Sequence, residues 1–317
     1  MNALQECLFV SAMDEYRHGQ ISGRELVRRA RLFVGDEELA DVALAEAGFS
    51  AAELWTRDEA PVPPQLRAQG GSNLEGVTIR PDDPSITVRH VSYTGEAGTL
   101  MAYLARPREE RRYPGVVVIH ENKGLVEHIK DVARRLAKAG YVALAPDLLS
   151  REGGTDHFTE LTELQSTLMR IPPEAFMADL GASLDHLKGQ PFVAPDRLGA
   201  TGFCFGGGLV WRLSTKRQDL KATVPFYGAA PPAEDVPNIK AVVLAIYGEL
   251  DQRINAGIPA LEVALIAAGI RYEKIVYPGA AHAFHNDTGP NYHPEAARDA
   301  WARALAHLDG HLKGASG

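Results

Sequence analysis

Cysteine is scarce in this chain. Only Cys7 and Cys204 occur in 317 residues, too far apart to suggest a disulfide framework, and a working thiol fits a reducing compartment. Long apolar runs are missing as well, and no stretch approaches the roughly 20 residues needed to cross a bilayer. There is no excess of positive charge. Lys and Arg total 33 against 41 Asp and Glu, a formal net charge of −8, which argues against nucleic acid as a partner. The pair Arg28-Arg29 has no sustained hydrophobic region behind it, as an export signal would need. These arginines read as an exposed helix face, and the expected location is cytoplasmic. Internal repeats and low-complexity tracts are absent. What remains is an ordinary globular composition, 45% apolar and 23% charged, long enough for one large α/β domain plus an appendage.

The appendage lies at the N-terminus. Residues 1–60 read as a helical extension, with Ser22 and Glu25 spaced as a capping box ahead of Leu26, Ala30 and Phe33 on one face. Asp36 opens a further helix ending near Gly48. Residues 61–84, rich in Pro and Gly, read as a linker. From residue 85 short β-type runs alternate with helical ones up to about residue 314. Strands are expected at Ile86–Tyr93, Leu100–Ala105, Val116–Ile119, Val142–Ala145, Leu198–Thr201, Ala222–Phe226, Val242–Ile246 and Tyr272–Val276. Helices are expected at Glu127–Ala139, Glu174–His186, Gly207–Ser214, Gly257–Ala268 and Pro294–Leu312. Apolar strands separated by helices predict a mostly parallel sheet with helices on both faces. The first two strands should form an antiparallel hairpin.

The most informative stretch is Gly202-Phe203-Cys204-Phe205-Gly206-Gly207. A reactive side chain flanked by glycines between a strand and a helix is the nucleophile-elbow arrangement. Side chains two residues before or after the nucleophile would collide with the backbone there, hence Gly202 and Gly206. Cys204 occupies the nucleophile position, where amides opening a helix favour a thiolate. Reactive groups in an open parallel sheet gather beyond the carboxyl ends of strands, and three more positions fall there. Asp251 follows one buried strand and His282 the next. The order nucleophile, acid, histidine is that of α/β-hydrolases. His282 would move the proton while Asp251 fixes its tautomer. Glu121 follows the strand Val116–Ile119, in the loop that supplies an oxyanion-hole amide in such folds. Asn122 N–H and Phe205 N–H are the candidate donors.

Taken together, the elbow, His120-Glu121-Asn122, Asp251 and Gly279-Ala280-Ala281-His282-Ala283-Phe284 resemble the dienelactone hydrolase (carboxymethylenebutenolidase) family. The resemblance spans about residues 85 to 312. It implies an α/β-hydrolase fold, a Cys204-His282-Asp251 triad, no cofactor and a small ester or lactone substrate cleaved through a thioester. It also implies that Glu121 contacts the resting thiol and helps to generate the thiolate. The family binds its substrate carboxylate with two arginines. One matches Arg151, but the second position holds Asn286, and an amide cannot reproduce a guanidinium clamp. Lys123 and His285 are the candidate replacements.

Other readings stay open on the residues alone. His282, His285, Asp287 and His293 cluster within twelve residues, yet without helical metal-ligand spacing, so no metal site is expected. A cysteine amidase or peptidase on the same fold, or a redox-sensing thiol protein, would also use an exposed thiolate. A binding module that keeps the pocket but not the chemistry is a third rival. The N-terminal helices could serve a homo-oligomer.

Overall fold

The computed structural model describes residues 3–17, 21–56 and 78–314. Most of the linker expected at 61–84 therefore lies outside the described residues. The sheet that organises the chain has eight strands in the order β1-β2-β4-β3-β5-β6-β7-β8. They are β1 Ile86–Gly95, β2 Gly98–Pro107, β3 Tyr113–Ile119, β4 Val142–Pro146, β5 Val193–Phe203, β6 Leu220–Phe226, β7 Val242–Gly248 and β8 Tyr272–Tyr277. β1 and β2 form the expected hairpin, with Gly95 opposite Gly98. β2 also runs antiparallel to β4, and the remaining pairings are parallel. Val116 to Ile119 are fully buried. Alternate residues of a strand face opposite ways, so both faces are covered, as the apolar runs required.

Between these strands lie α5 Glu127–Lys138, α6 Leu161–Arg170, α7 Pro173–Lys188, α8 Phe205–Lys216, α9 Gln252–Ala256 and α10 Ile258–Ala267, and α11 Pro294–Leu308 follows the last of them. Two differences from the sequence reading have local causes. α6 was not anticipated, because its apolar residues Leu161, Leu164 and Leu168 are diluted by Thr and Glu. The last helix stops at Leu308 and passes into a wider π turn over Asp309–Lys313 rather than continuing.

Four helices precede the sheet: α1 Ala3–Arg17, α2 Gly23–Val34, α3 Glu37–Glu46 and α4 Ala51–Thr56. Ser22 Oγ accepts from Glu25 N at 3.2 Å and Asp36 Oδ1 from Leu39 N at 3.0 Å, caps worth about 1 kcal/mol each. Leu8, Phe9, Leu26, Ala30, Phe33 and Leu44 are fully buried in a small core of their own. The helices do not stand apart, since α1 packs against α6 and α8 and α2 packs against α6. Phe9 lies under the Arg253 guanidinium, 5.0 Å from its ring centre.

Only one of the adjacent arginines is exposed, contrary to expectation. Arg28 lies at the surface beside Glu25. Arg29 is buried between Glu15 and Glu25, at 2.7 and 2.8 Å. A helix face that carries one arginine outward turns the next roughly 100° away, here into the junction with α1.

Candidate active site

The register of the sheet sets the site. Ile119 of β3 lies opposite Gly202 of β5, and Phe203 opposite Phe226 of β6. The residues that follow each strand, Glu121, Cys204 and Tyr227, therefore emerge side by side at one edge. The turn after β5 is tight. A Cβ on Gly202 would lie 2.5 Å from Gly206 O, and one on Gly206 would lie 2.3 Å from Ile119 O. Cys204 itself sits at φ 56° and ψ −118°, a conformation that a non-glycine residue adopts only when its surroundings hold it there. Its N–H donates to Phe226 O at 3.1 Å and its C=O accepts from Gly208 N at 3.1 Å. Phe205 N–H follows directly, in the first turn of α8, where backbone donors have no intrahelical acceptor.

Asp251 and His282 meet across the ends of β7 and β8. His282 Nδ1 lies 2.5 Å from Asp251 Oδ2, and both side chains are almost completely buried. Burial by itself would lower the imidazole's proton affinity. The charges of Asp251 and Cys204, with their hydrogen bonds, outweigh it and hold the His282 pKa well above its ordinary value. Nε2, the nitrogen facing away from Asp251, is buried without a hydrogen bond of normal geometry. Catalytic contacts are commonly loose before substrate binds.

His120 fixes the loop after β3. Burial keeps its pKa below the ordinary value, and Nε2 accepts from Leu148 N at 3.1 Å. The proton therefore resides on Nδ1, which donates to Glu121 O at 2.6 Å. The Glu121 carboxylate is buried, with Oε2 accepting from Asn286 Nδ2 at 2.7 Å and Oε1 without a partner. The orientation of Asn286 is set from the other side, because its Oδ1 accepts from Thr288 N and Oγ1.

Glu121, Asn122, Lys123, Cys204 and His282 line one small cavity of about 40 Å³, together with Asn286 and Glu15. The structure thus brings together Cys204, His282, Glu121, Asn122 and Lys123. Asp251 stands directly behind His282. Two of the expected substrate-binding residues are not in the lining. Arg151 Nη2 is bound to Asp179 Oδ2 at 2.6 Å. His285 is buried against Phe203 and Phe226, with ring centres 5.1 Å apart in each case. It lines a separate cavity of about 420 Å³ with Arg135, Asp287 and Trp301. The histidines considered as metal ligands are dispersed among other roles. Asp287 binds His128 and Arg135, and His293 caps α11 by accepting from Ala296 N.

Two residues of the site escaped the sequence reading. Tyr227 follows β6 at φ 36°, its ring centre 5.1 Å from that of His282 and its hydroxyl unpartnered. Burial, then the charges of Glu121 and Cys204, push its pKa well above the ordinary value, so it remains a neutral phenol. Its place after a strand end was a usable signal. Glu15, from α1, gave none.

Comparison with known proteins points to one family. A family model described as the dienelactone hydrolase family matches residues 100–312. A candidate carboxymethylenebutenolidase of Methylorubrum extorquens is 38% identical over 238 residues, covering 71% of this chain and 82% of that protein. Its counterpart in Escherichia coli O157:H7 is 36% identical over 253 residues, 75% of this chain and 92% of that protein. Among solved structures, a candidate dienelactone hydrolase from Klebsiella pneumoniae superposes with a TM-score of 0.67 at 33% identity. It covers 71% of this chain and 99% of its own. An acylaminoacyl peptidase from Pyrococcus horikoshii, at 16% identity and a TM-score of 0.61, shares the fold over 74% of this chain and 43% of its own.

Proposed function

Because the chain belongs to the dienelactone hydrolase family of the α/β-hydrolase superfamily, we propose that it hydrolyses a small ester or lactone with Cys204 as nucleophile, His282 as proton carrier and Asp251 as its partner. The catalytic unit in this reading is residues 85–314, with residues 1–60 as an extension. One observation carries the reading. The His282 ring is bound through Nδ1 to a buried carboxylate, and His282 lines the same cavity as Cys204.

The chemistry follows from that pairing. The Cys204 sulfur, as thiolate, attacks the carbonyl carbon and a C–S bond forms. The oxyanion is held by Phe205 N–H and Asn122 N–H, donors worth about 2.7–4 kcal/mol each when preorganised. The C–O bond breaks, and the leaving oxygen takes the proton from the His282 imidazolium. Neutral His282 then removes a proton from water, whose oxygen attacks the thioester. The C–S bond breaks, releasing the acid and restoring thiolate and imidazolium. Glu121 Oε1, buried and unpartnered beside this cavity, is the proposed acceptor for the thiol proton in the resting enzyme. Asp251 keeps the imidazole in the useful tautomer and stabilises its cation.

Turnover of p-nitrophenyl acetate tests the reading, with mass spectrometry of the acid-quenched protein. An acetyl group on Cys204 that disappears on further incubation is expected, with loss of both in Cys204→Ala. Full activity in Cys204→Ala would refute it. Release of ammonia from glutamine would favour the amidase alternative.

A further inference from the structure

Glu15 lies outside the residues that the family model matches, yet its side chain is part of the wall around Cys204. It is held there firmly. Arg29 Nη1 binds Glu15 Oε2 at 2.7 Å while its Nε binds Glu25, and both members of the Glu15–Arg29 pair are more than nine-tenths buried. Arg29 stands behind the carboxylate and is not part of the lining.

Of the groups that would greet an anionic substrate, Lys123 lines the cavity and the others are occupied elsewhere. Arg151 is bound to Asp179, Asn286 gives its amide to Glu121, and His285 opens on the other cavity. Among the described lining residues, the charged side chains are Glu15, Glu121 and Lys123, with His282 balanced by Asp251. Glu15 is part of the wall while its partner Arg29 stands outside it, so the end of that ion pair nearest the sulfur is the negative one. The space is small as well. A cavity of about 40 Å³ holds about three waters, and Glu15 of α1 forms part of its wall.

We infer that Glu15, delivered by the N-terminal helix, is a specificity-determining residue that selects uncharged esters or lactones over those carrying a carboxylate near the reacting carbonyl. This rests on the reading of Cys204 as nucleophile given above. Specificity of this kind is built as much from repulsion of the wrong ligand as from attraction of the right one.

Alkylation of Cys204 tests the charge preference without requiring turnover. Iodoacetamide and iodoacetate differ in charge at similar size, and peptide mass spectrometry separates Cys204 from Cys7. Relative to glutathione in solution, Cys204 should disfavour iodoacetate by about tenfold or more, and Glu15→Gln should shrink that factor by about threefold or more. Glu15→Asp, which keeps the charge, should retain the wild-type ratio. Glu38→Gln, at an exposed position, serves as a control for net charge. Equal effects of Glu15→Gln on both reagents, or no discrimination in the wild type, would overturn the inference. Should Glu15→Gln fail to fold by circular dichroism, the wild-type ratio must itself narrow as salt is raised, and a gap independent of salt refutes the assignment. Hydrolysis of p-nitrophenyl acetate against mono-p-nitrophenyl succinate separates the two claims. Intact turnover without charge preference sinks only the role of Glu15, whereas charge preference without a Cys204 thioester sinks only the hydrolytic reading.

Discussion

Replacement of Asp251 by Asn is the sharpest test of the proposed triad, because it changes charge at nearly constant shape. In the native site Asp251 Oδ2 accepts the Nδ1 proton of His282 at 2.5 Å, and Oδ1 is buried without a partner. An asparagine can meet the imidazole in two ways. With its oxygen toward Nδ1 it keeps the tautomer, loses the charge and strands an NH₂ group where Oδ1 was. With its NH₂ toward Nδ1 it forces the proton onto Nε2, the nitrogen that must accept one. A charge pair about 4 Å apart at an effective dielectric near 20 is worth about 4 kcal/mol, or about a thousandfold in rate. The wrong tautomer would push the loss toward ten-thousandfold. The expected result is therefore a fall in kcat/KM for p-nitrophenyl acetate of about 10³–10⁴, carried mainly by kcat. Stability should respond with a definite sign. The His282 pKa is raised in the folded protein above an unfolded value of about 6.5. The stabilisation it brings is complete below that unfolded value and disappears as pH rises through the folded one. The gap in urea midpoint between wild type and Asp251→Asn should thus be widest near pH 6 and close on the alkaline side. A loss under tenfold in kcat/KM, or a stability gap that grows with pH, would refute the assignment of His282 and Asp251 as a charged pair.

Cys204→Ser should lower kcat on the order of a hundredfold, since a hydroxyl cannot be ionised by the same surroundings as a thiol; equal activity in the two forms would show that thiolate formation is unimportant. Arg151→Ala should reduce stability by about 2–4 kcal/mol, because it leaves the buried Asp179 carboxylate unpaired. Neutral and anionic esters should then suffer alike, and a loss confined to anionic esters would return Arg151 to the substrate. Gly206→Ala forces a Cβ to within 2.3 Å of Ile119 O, so the unfolding free energy from urea titration should fall by about 3 kcal/mol; an unchanged urea midpoint would mean that the turn is slack.

Much of this was readable because strand and elbow carry local signals. All eight strands lie where apolar runs predicted them, and Gly202, Cys204 and Gly206 advertise a tight turn through spacing alone. Asp251 and His282 were singled out by the same logic, as residues just past buried strands, and the two are hydrogen-bonded. The contacts that spacing could not supply are tertiary. Arg29 and Arg28 look alike in sequence, and only the packing of α1 on α2 decides which of them is buried. Asn286 was read as a missing guanidinium, whereas its amide holds Glu121, a contact across 165 residues. Arg151 matched a family position, but the acid opposite it, Asp179, lies on α7 and could not be paired with it from spacing. Tyr227 was accessible to the strand-end argument and was overlooked because tyrosine is so often a packing residue.

The proposed nucleophile, acid and histidine follow β5, β7 and β8, at one side of an eight-stranded sheet whose parallel pairings join distant parts of the chain. Such long-range pairings close slowly, and until the last of them docks the sulfur has no imidazole beside it. A nascent or partly unfolded chain therefore carries an unassisted thiol, mostly protonated near neutral pH and slow to attack esters. Recovery of turnover after dilution from denaturant would consequently time the arrival of the outermost strand, making the enzyme a clock for its own completion.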